Sequence, residues 1–206
     1  MDEIKVFYID DDITRYMREA LNGMEIELND KKYVVKCEYM SYDISNSLNN
    51  IQQIINRVKQ GNYLCLFIDN KLYDENQKDK TKGIWVAYVL KSQFPFLNFF
   101  IVSSKKNEKD SFTNNNFPFL EKISKDVEEE LLNDYKTKII QCLQDKLKMD
   151  EAVSLYKKVA NDLPSQIDDA MKILISNMEN NNYDEFISSD ELKKIITLLE
   201  EAINNG

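Results

Sequence analysis

Four short, unbroken apolar runs recur along this chain, and each ends on a chemically reactive side chain. Residues 5–9 (KVFYI) run into Asp10, Asp11 and Asp12; residues 63–68 (YLCLFI) run into Asp69. Residues 99–102 (FFIV) lead to Ser103 and Ser104, and residues 117–120 (FPFL) lead to Glu121 and Lys122. Runs this short and continuous are the pattern of strands covered on both faces. Between them lie stretches of helical spacing: residues 13–21 closed by Asn22-Gly23, residues 48–58 ending near Gly61, and residues 84–91. Repeated strand–helix alternation predicts a parallel sheet with helices on both faces. With four Gly and three Pro in 206 residues, the chain favours long regular elements over linkers or disorder.

Residues 24–28 and 33–40 flank Asn29-Asp30-Lys31-Lys32, and read as a strand preceded by an extra hairpin arm. After Lys122 the pattern turns wholly helical. Asp126 and Glu129 have capping-box spacing for a helix through Leu147, and a second helix is predicted from Asp150 to about Asp162. Pro164 suits the first turn of a third, with Ile167, Met171, Leu174 and Met178 on one face. Ser188 and Glu191 cap a fourth. Charge changes at the same place. Residues 1–148 carry 22 basic and 24 acidic side chains, a net −2, whereas residues 149–206 carry 5 and 12, a net −7. The expected organisation is a domain over residues 1–148 and an acidic helical extension over 149–206.

These counts exclude several functions. The chain has no histidine, so histidine catalysis, a phosphohistidine on this chain and histidine-liganded zinc are ruled out. The acidic tail has the wrong sign for a duplex-binding module, so no nucleic-acid partner is expected. Cys37, Cys65 and Cys142 are widely spaced without a CxxC, which reads as reduced core thiols of a cytoplasmic protein. No signal-like or membrane-length apolar segment is read, so no membrane partner is expected.

In an open parallel sheet, sites form beyond the carboxyl ends of the strands. Asp10, Asp11, Asp69, Ser103 and Lys122 would meet there. Clustered carboxylates raise one another's pKa unless a cation sits among them, and an all-oxygen donor set suits Mg²⁺. Beside such a cation, Asp69 would attack a phosphoryl group, with Lys122 pairing to its oxygens and the Ser103 hydroxyl donating to one of them.

The segments FYIDDD, LCLFIDNK, FFIVSS and FPFLEK, in this order, resemble the receiver domain of two-component response regulators over about residues 3–145. The resemblance implies a flavodoxin-like doubly wound fold, α/β with a five-stranded parallel sheet of order 2-1-3-4-5. It implies that Asp10 and Asp11 hold the metal, with Asp69 and the backbone carbonyl of Lys71 as further ligands. Asp69 would be the phosphoacceptor, Ser103, Ser104 and Lys122 the phosphoryl-binding residues, and Phe119 the aromatic switch. The cofactor would be Mg²⁺. The phosphoryl donor would be a separate histidine kinase or phosphotransfer protein, and output would pass through the helical extension to a protein partner or a second copy. The chain would be no enzyme beyond Mg²⁺-dependent self-phosphorylation from a phosphodonor.

It departs from the family pattern at four places, one of them a short, polar stretch between Ser103 and Lys122 that implies a stunted fourth helix. Ile123 stands where proline usually follows the lysine, and Tyr73 stands at another usual proline. Gly83 lies about six residues farther from Asp69 than usual, behind the insertion DENQKDKTK. Two other readings compete. Asp10-Asp11-Asp12-Ile13-Thr14 also fits DxDxT, the nucleophile motif of haloacid-dehalogenase-like phosphatases, with Asp10 as nucleophile and Asp12 as acid/base. A receiver-like module that only binds partners, without phosphorylation, is the other. Singly, each residue also has a plain structural reading: Asp10–Asp12 as a helix start, Asp69 as a turn residue, Ser103 as a loop hydroxyl, and Phe119 and Trp85 as core.

Overall fold

A computed structural model describes residues 1–11, 15–42, 47–72, 82–104, 117–123, 129–159 and, farther on, 169, 171–173 and 175–176. Asp12, the bulk of the 73–82 insertion, the Asn-rich stretch after Lys106, the Asp126 cap and nearly all of the expected third and fourth tail helices lie outside the described residues. The elements are β1 (Asp2–Asp10), α1 (Arg15–Leu21), β2 (Glu25–Leu28), β3 (Lys31–Ser41), α2 (Ser47–Gly61), β4 (Cys65–Asp69), α3 (Gly83–Gln93), β5 (Asn98–Ser103), β6 (Phe119–Glu121) and α4 (Glu129–Val159).

The sheet has six strands in the order β2-β3-β1-β4-β5-β6. β3, β1, β4, β5 and β6 run parallel, and β2 alone is antiparallel, against β3. Without β2, the parallel strands follow the order 2-1-3-4-5, a doubly wound sheet. The extra strand is the hairpin arm expected at residues 24–28. Its turn is Asn29-Asp30, with φ of 52° and 60°, the two left-handed residues of a type I′ turn. Leu28 accordingly pairs with Lys31.

β4 is buried at all five positions, and Val6 to Ile9 are fully buried in β1. These continuous apolar stretches are what a sheet covered on both faces requires. Phe67 shows how the core is built. Its ring stacks on Phe100 of β5 at 5.4 Å and meets the Tyr135 ring of α4 at 5.3 Å. Burying a side chain of this size stabilises the fold by roughly 1.5–3 kcal/mol. Cys37, Cys65 and Cys142 are buried and free, as expected of core thiols.

Two expectations are corrected. The helix after the sheet does not break at residue 148: α4 runs unbroken from Glu129 to Val159, because no Gly or Pro interrupts that stretch. Trp85 is not core; on α3 it is 56% exposed, while Ile84, Val86, Ala87 and Leu90 form the buried face. The chain divides into two compact units, residues 1–92 with 96–143, and residues 93–95 with 144–206. In the second, Ala152, Tyr156 and Met171 are buried.

Candidate functional site

β1 and β4 are neighbours in the sheet, paired from Val6–Cys65 to Ile9–Ile68, so Asp10 and Asp69 emerge side by side at their carboxyl ends. Asp11 follows immediately. One carboxylate oxygen from each of Asp10, Asp11 and Asp69 can be chosen so that all lie within 4.8 Å of one another. Asp10 has no exposed surface, Asp69 is buried and Asp11 is partly exposed. Lys122 reaches in from beyond β6. Its Nζ lies 2.8 Å from Asp10 Oδ2 and 3.5 Å from Asp69 Oδ2.

A single lysine facing three carboxylates leaves negative charge uncompensated, and the proton affinities follow. Asp69 is pushed up to about 7, first by burial and next by Asp10, while Lys122 pulls it back. Asp11 is pushed up to about 6 by burial and by its hydrogen bond to Asp10. Burial works against the charge of Lys122, yet Asp69 and Asp10 together hold its pKa above the ordinary lysine value. Three oxygen donors this close, with two protonating near neutrality, suit a hard divalent cation such as Mg²⁺.

The backbone holds these groups in place. The Lys122 amide donates to the Ser103 carbonyl at 2.9 Å, tying the lysine to the end of β5. Ser103 itself is buried and pairs with Glu121 across the sheet. The Tyr135 hydroxyl of α4 donates to the Glu121 carbonyl at 2.8 Å, one residue before Lys122. On the other side, the Ile123 amide donates to Met17 Sδ of α1 at 3.3 Å, and the Ile123 side chain is buried. A proline at 123 would have no N–H to make that bond. Ser104 is exposed just past β5, and Phe119 is half-buried at the far end of β6, opposite Ile101. Asp10, Asp11, Asp69 and Lys122 are thus brought together, with Ser103 joined to Lys122 through the backbone, whereas none of these contacts includes Ser104 or Phe119.

The insertion after Asp69 does not separate Gly83 from it in space. Lys71 and Lys82 form an isolated antiparallel bridge, which closes the inserted segment at its base. The Gly83 amide then donates to the Asn70 carbonyl at 2.9 Å. A Cβ built on Gly83 would lie 2.0 Å from the Asp69 carbonyl oxygen, so only glycine permits α3 to start against the backbone of Asp69.

Sequence reasoning missed two buried tyrosines. Tyr8 donates from its hydroxyl to Asp10 Oδ2 at 2.8 Å. Tyr135 supports the lysine through Glu121. Tyr8 had one available signal: two residues before Asp10 on a strand, it must share that residue's face.

No protein-family model matches the chain, and no curated protein matches it. Among solved structures it is similar to a response regulator receiver protein from Sinorhizobium medicae WSM419, at 16% identity and a TM-score of 0.41, covering 68% of this chain and 94% of that one. It is similar to NtrX from Brucella abortus at 12% identity and a TM-score of 0.47, covering 77% of this chain and 34% of that one. It is similar to the RcsB response regulator of Salmonella typhimurium, a structure concerned with conformational dynamism for DNA interaction. There the identity is 14% and the TM-score 0.45, covering 97% of this chain and 93% of that one. The strand order of the five parallel strands gives this chain a flavodoxin-like doubly wound fold.

Proposed function

We propose that the chain is a two-component response regulator that accepts a phosphoryl group on Asp69. The observation that carries this reading is the buried Asp69 carboxylate held between two further aspartates and one lysine at neighbouring strand ends. Asp10, Asp11, Asp69 and the Lys71 carbonyl would hold Mg²⁺. When bound, the cation supplies the positive charge that keeps the carboxylates ionised and offsets the charge of the incoming phosphoryl group. An Asp69 carboxylate oxygen forms the new bond to phosphorus as the donor's bond to phosphorus breaks, the leaving atom departing with the electron pair. Lys122 Nζ, already between Asp10 and Asp69, pairs with the phosphoryl oxygens, and the Ser103 hydroxyl donates to one of them. Ser104 and Phe119 are the residues through which the new charge is read.

Because the chain has no histidine, the donor is a separate histidine kinase or phosphotransfer protein; three free, buried cysteines are in keeping with a cytoplasmic site of action. Among the described residues no helix is long and apolar enough to cross a membrane. Output passes through residues 149–206 to a protein partner or a second copy, not to nucleic acid, in keeping with the net charge of that segment. The phosphatase reading needs Asp10 as nucleophile, but Asp10 Oδ2 is already engaged by both Tyr8 and Lys122. That geometry favours Asp69.

Intact-mass spectrometry after acetyl phosphate tests the proposal. The wild type should gain one acid-labile phosphoryl group only with a divalent cation, and Asp69→Asn should gain none. A phosphoryl group that persists on Asp69→Asn and vanishes from Asp10→Asn would move the nucleophile to Asp10. A wild type modified by no donor would leave a module that acts by binding alone.

A further inference from the structure

Tyr8 is a polar side chain placed where an apolar strand would be sufficient. β1 is covered on both faces around it, and Tyr8 has no exposed surface. A buried hydroxyl costs free energy unless it is hydrogen-bonded, and here its partner is a carboxylate of the cluster. Asp10 Oδ2 therefore receives two donors at 2.8 Å, the mobile charged head of Lys122 and the fixed neutral hydroxyl of Tyr8. The two differ in what they can do. A bound cation would compete with the Lys122 ammonium for the carboxylates and a phosphoryl group would draw it away, and its long stem can move. The Tyr8 ring cannot follow it. Tyr39 stands opposite Tyr8 in the β1–β3 register, and the two rings meet edge to face at 5.8 Å. Tyr39 is itself held by its hydroxyl, which donates to the Arg18 carbonyl at the end of α1 at 3.0 Å.

We infer that Tyr8 is a positioning residue for divalent-cation binding: its hydroxyl holds the Asp10 carboxylate in one orientation when Lys122 shifts toward an incoming ligand. The inference rests on the proposed cation pocket and adds to it an outer partner on β1. Outer partners that orient a ligating side chain are typically worth 10–100-fold in metal affinity. Tyr8→Phe keeps the ring against Tyr39 and removes only the hydroxyl.

The test is Mn²⁺ binding to the full chain at pH 7.5, followed by electron paramagnetic resonance of the free ion. Four proteins are compared: wild type, Tyr8→Phe, Asp10→Asn and the double variant. Tyr8→Phe should weaken binding about tenfold, while its melting temperature in chelator stays within a few degrees of wild type. The same substitution in the Asp10→Asn background should change the affinity by less than about twofold, because a residue that acts through Asp10 has nothing left to orient. Tyr63→Phe, which removes a hydroxyl that donates to Glu38 and takes no part in holding Tyr8 or Asp10, should leave the affinity unchanged. If Tyr8→Phe lacks a cooperative melt, Tyr8→Met takes its place, since a flexible thioether side chain refills the space without a donor. Wild-type binding that Tyr8→Phe leaves intact overturns the positioning role and leaves the pocket standing. Equal weakening in both backgrounds assigns Tyr8 a structural role and also overturns it. A wild type that binds no Mn²⁺ at millimolar concentration removes the pocket itself, and this proposal with it.

Discussion

Raising the pH from 5 to 8 in the presence of chelator should destabilise this protein, through Asp69. Its carboxyl has a pKa of about 7 in the fold against an ordinary 3.8, from burial first and Asp10 second, with Lys122 opposing. A carboxyl that holds its proton more tightly when folded contributes stability that is complete below the unfolded pKa. That contribution is lost as pH rises through the folded pKa. A difference of about 3 units at 1.36 kcal/mol per unit sets a ceiling of about 4 kcal/mol for the whole range. Part of it is spent below pH 5, where the unfolded carboxyl already ionises, so about 2–3 kcal/mol falls between pH 5 and 8. Asp11, pushed up to about 6 and partly exposed, acts in the same direction, but solvent screening makes its share small. The groups facing Asp69 are Asp10, Asp11, Lys122 and the hydroxyls of Tyr8 and Tyr135. The last three are raised above their ordinary values and keep their protons throughout this window. With no histidine in the chain, no imidazole titration is superimposed. At about 2–4 °C per kcal/mol for a chain of this size, the melting temperature should fall by roughly 5–10 °C. Thermal melts followed by circular dichroism in EDTA at pH 5, 6, 7 and 8 measure it, with Asp69→Asn as the variant that should flatten the slope. A wild-type melting temperature that is level or rises from pH 5 to 8 refutes the reasoning, and so does an undiminished slope in Asp69→Asn.

Adding Mg²⁺ should stabilise the wild type more at pH 8 than at pH 5.5, because protons and cation compete for the same oxygens; the same melts with and without the ion check this. Lys122→Met should cost about 3 kcal/mol at pH 8 in urea unfolding and less at pH 5, where protonated carboxyls no longer need the ammonium. Gly83→Ala should cost about 1–3 kcal/mol, since the new methyl must displace the Asp69 carbonyl or the start of α3. It should also slow phosphorylation from acetyl phosphate, and an unchanged rate would show that the close approach of α3 does not set the position of Asp69.

The fold was legible where burial leaves a mark on composition. Strands covered on both faces must be apolar without interruption, so β1, β4 and β5 stood out, and their last residues located Asp10, Asp69 and Ser103. The hairpin was legible because Asn29-Asp30 is a pair that tolerates two left-handed residues. The helix break expected between Leu147 and Asp150 is absent, because that stretch holds no Gly or Pro and polar residues on the exposed face of a helix do not end it. Trp85 was misplaced because α3 is apolar nearly all round, so periodicity could not separate its buried face from the side that carries Trp85, Tyr88 and Val89.

The residues that support the pocket were hidden for a different reason. Tyr8 and Tyr135 look like core in a sequence, and by burial they are core. What sets them apart is one oxygen each, directed at Asp10 and at the carbonyl of Glu121, and no apolar pattern reports the direction of a hydroxyl. Gly83 shows the converse. By count along the chain it is too far from Asp69 to be a neighbour, yet the Lys71–Lys82 bridge closes the inserted segment at its base and returns Gly83 to contact. Sequence distance measures the length of a loop, whereas the pocket depends on where the loop closes. The groups proposed to meet the ligand are readable because they sit at strand ends, and those that hold them there become visible only when the chain is folded.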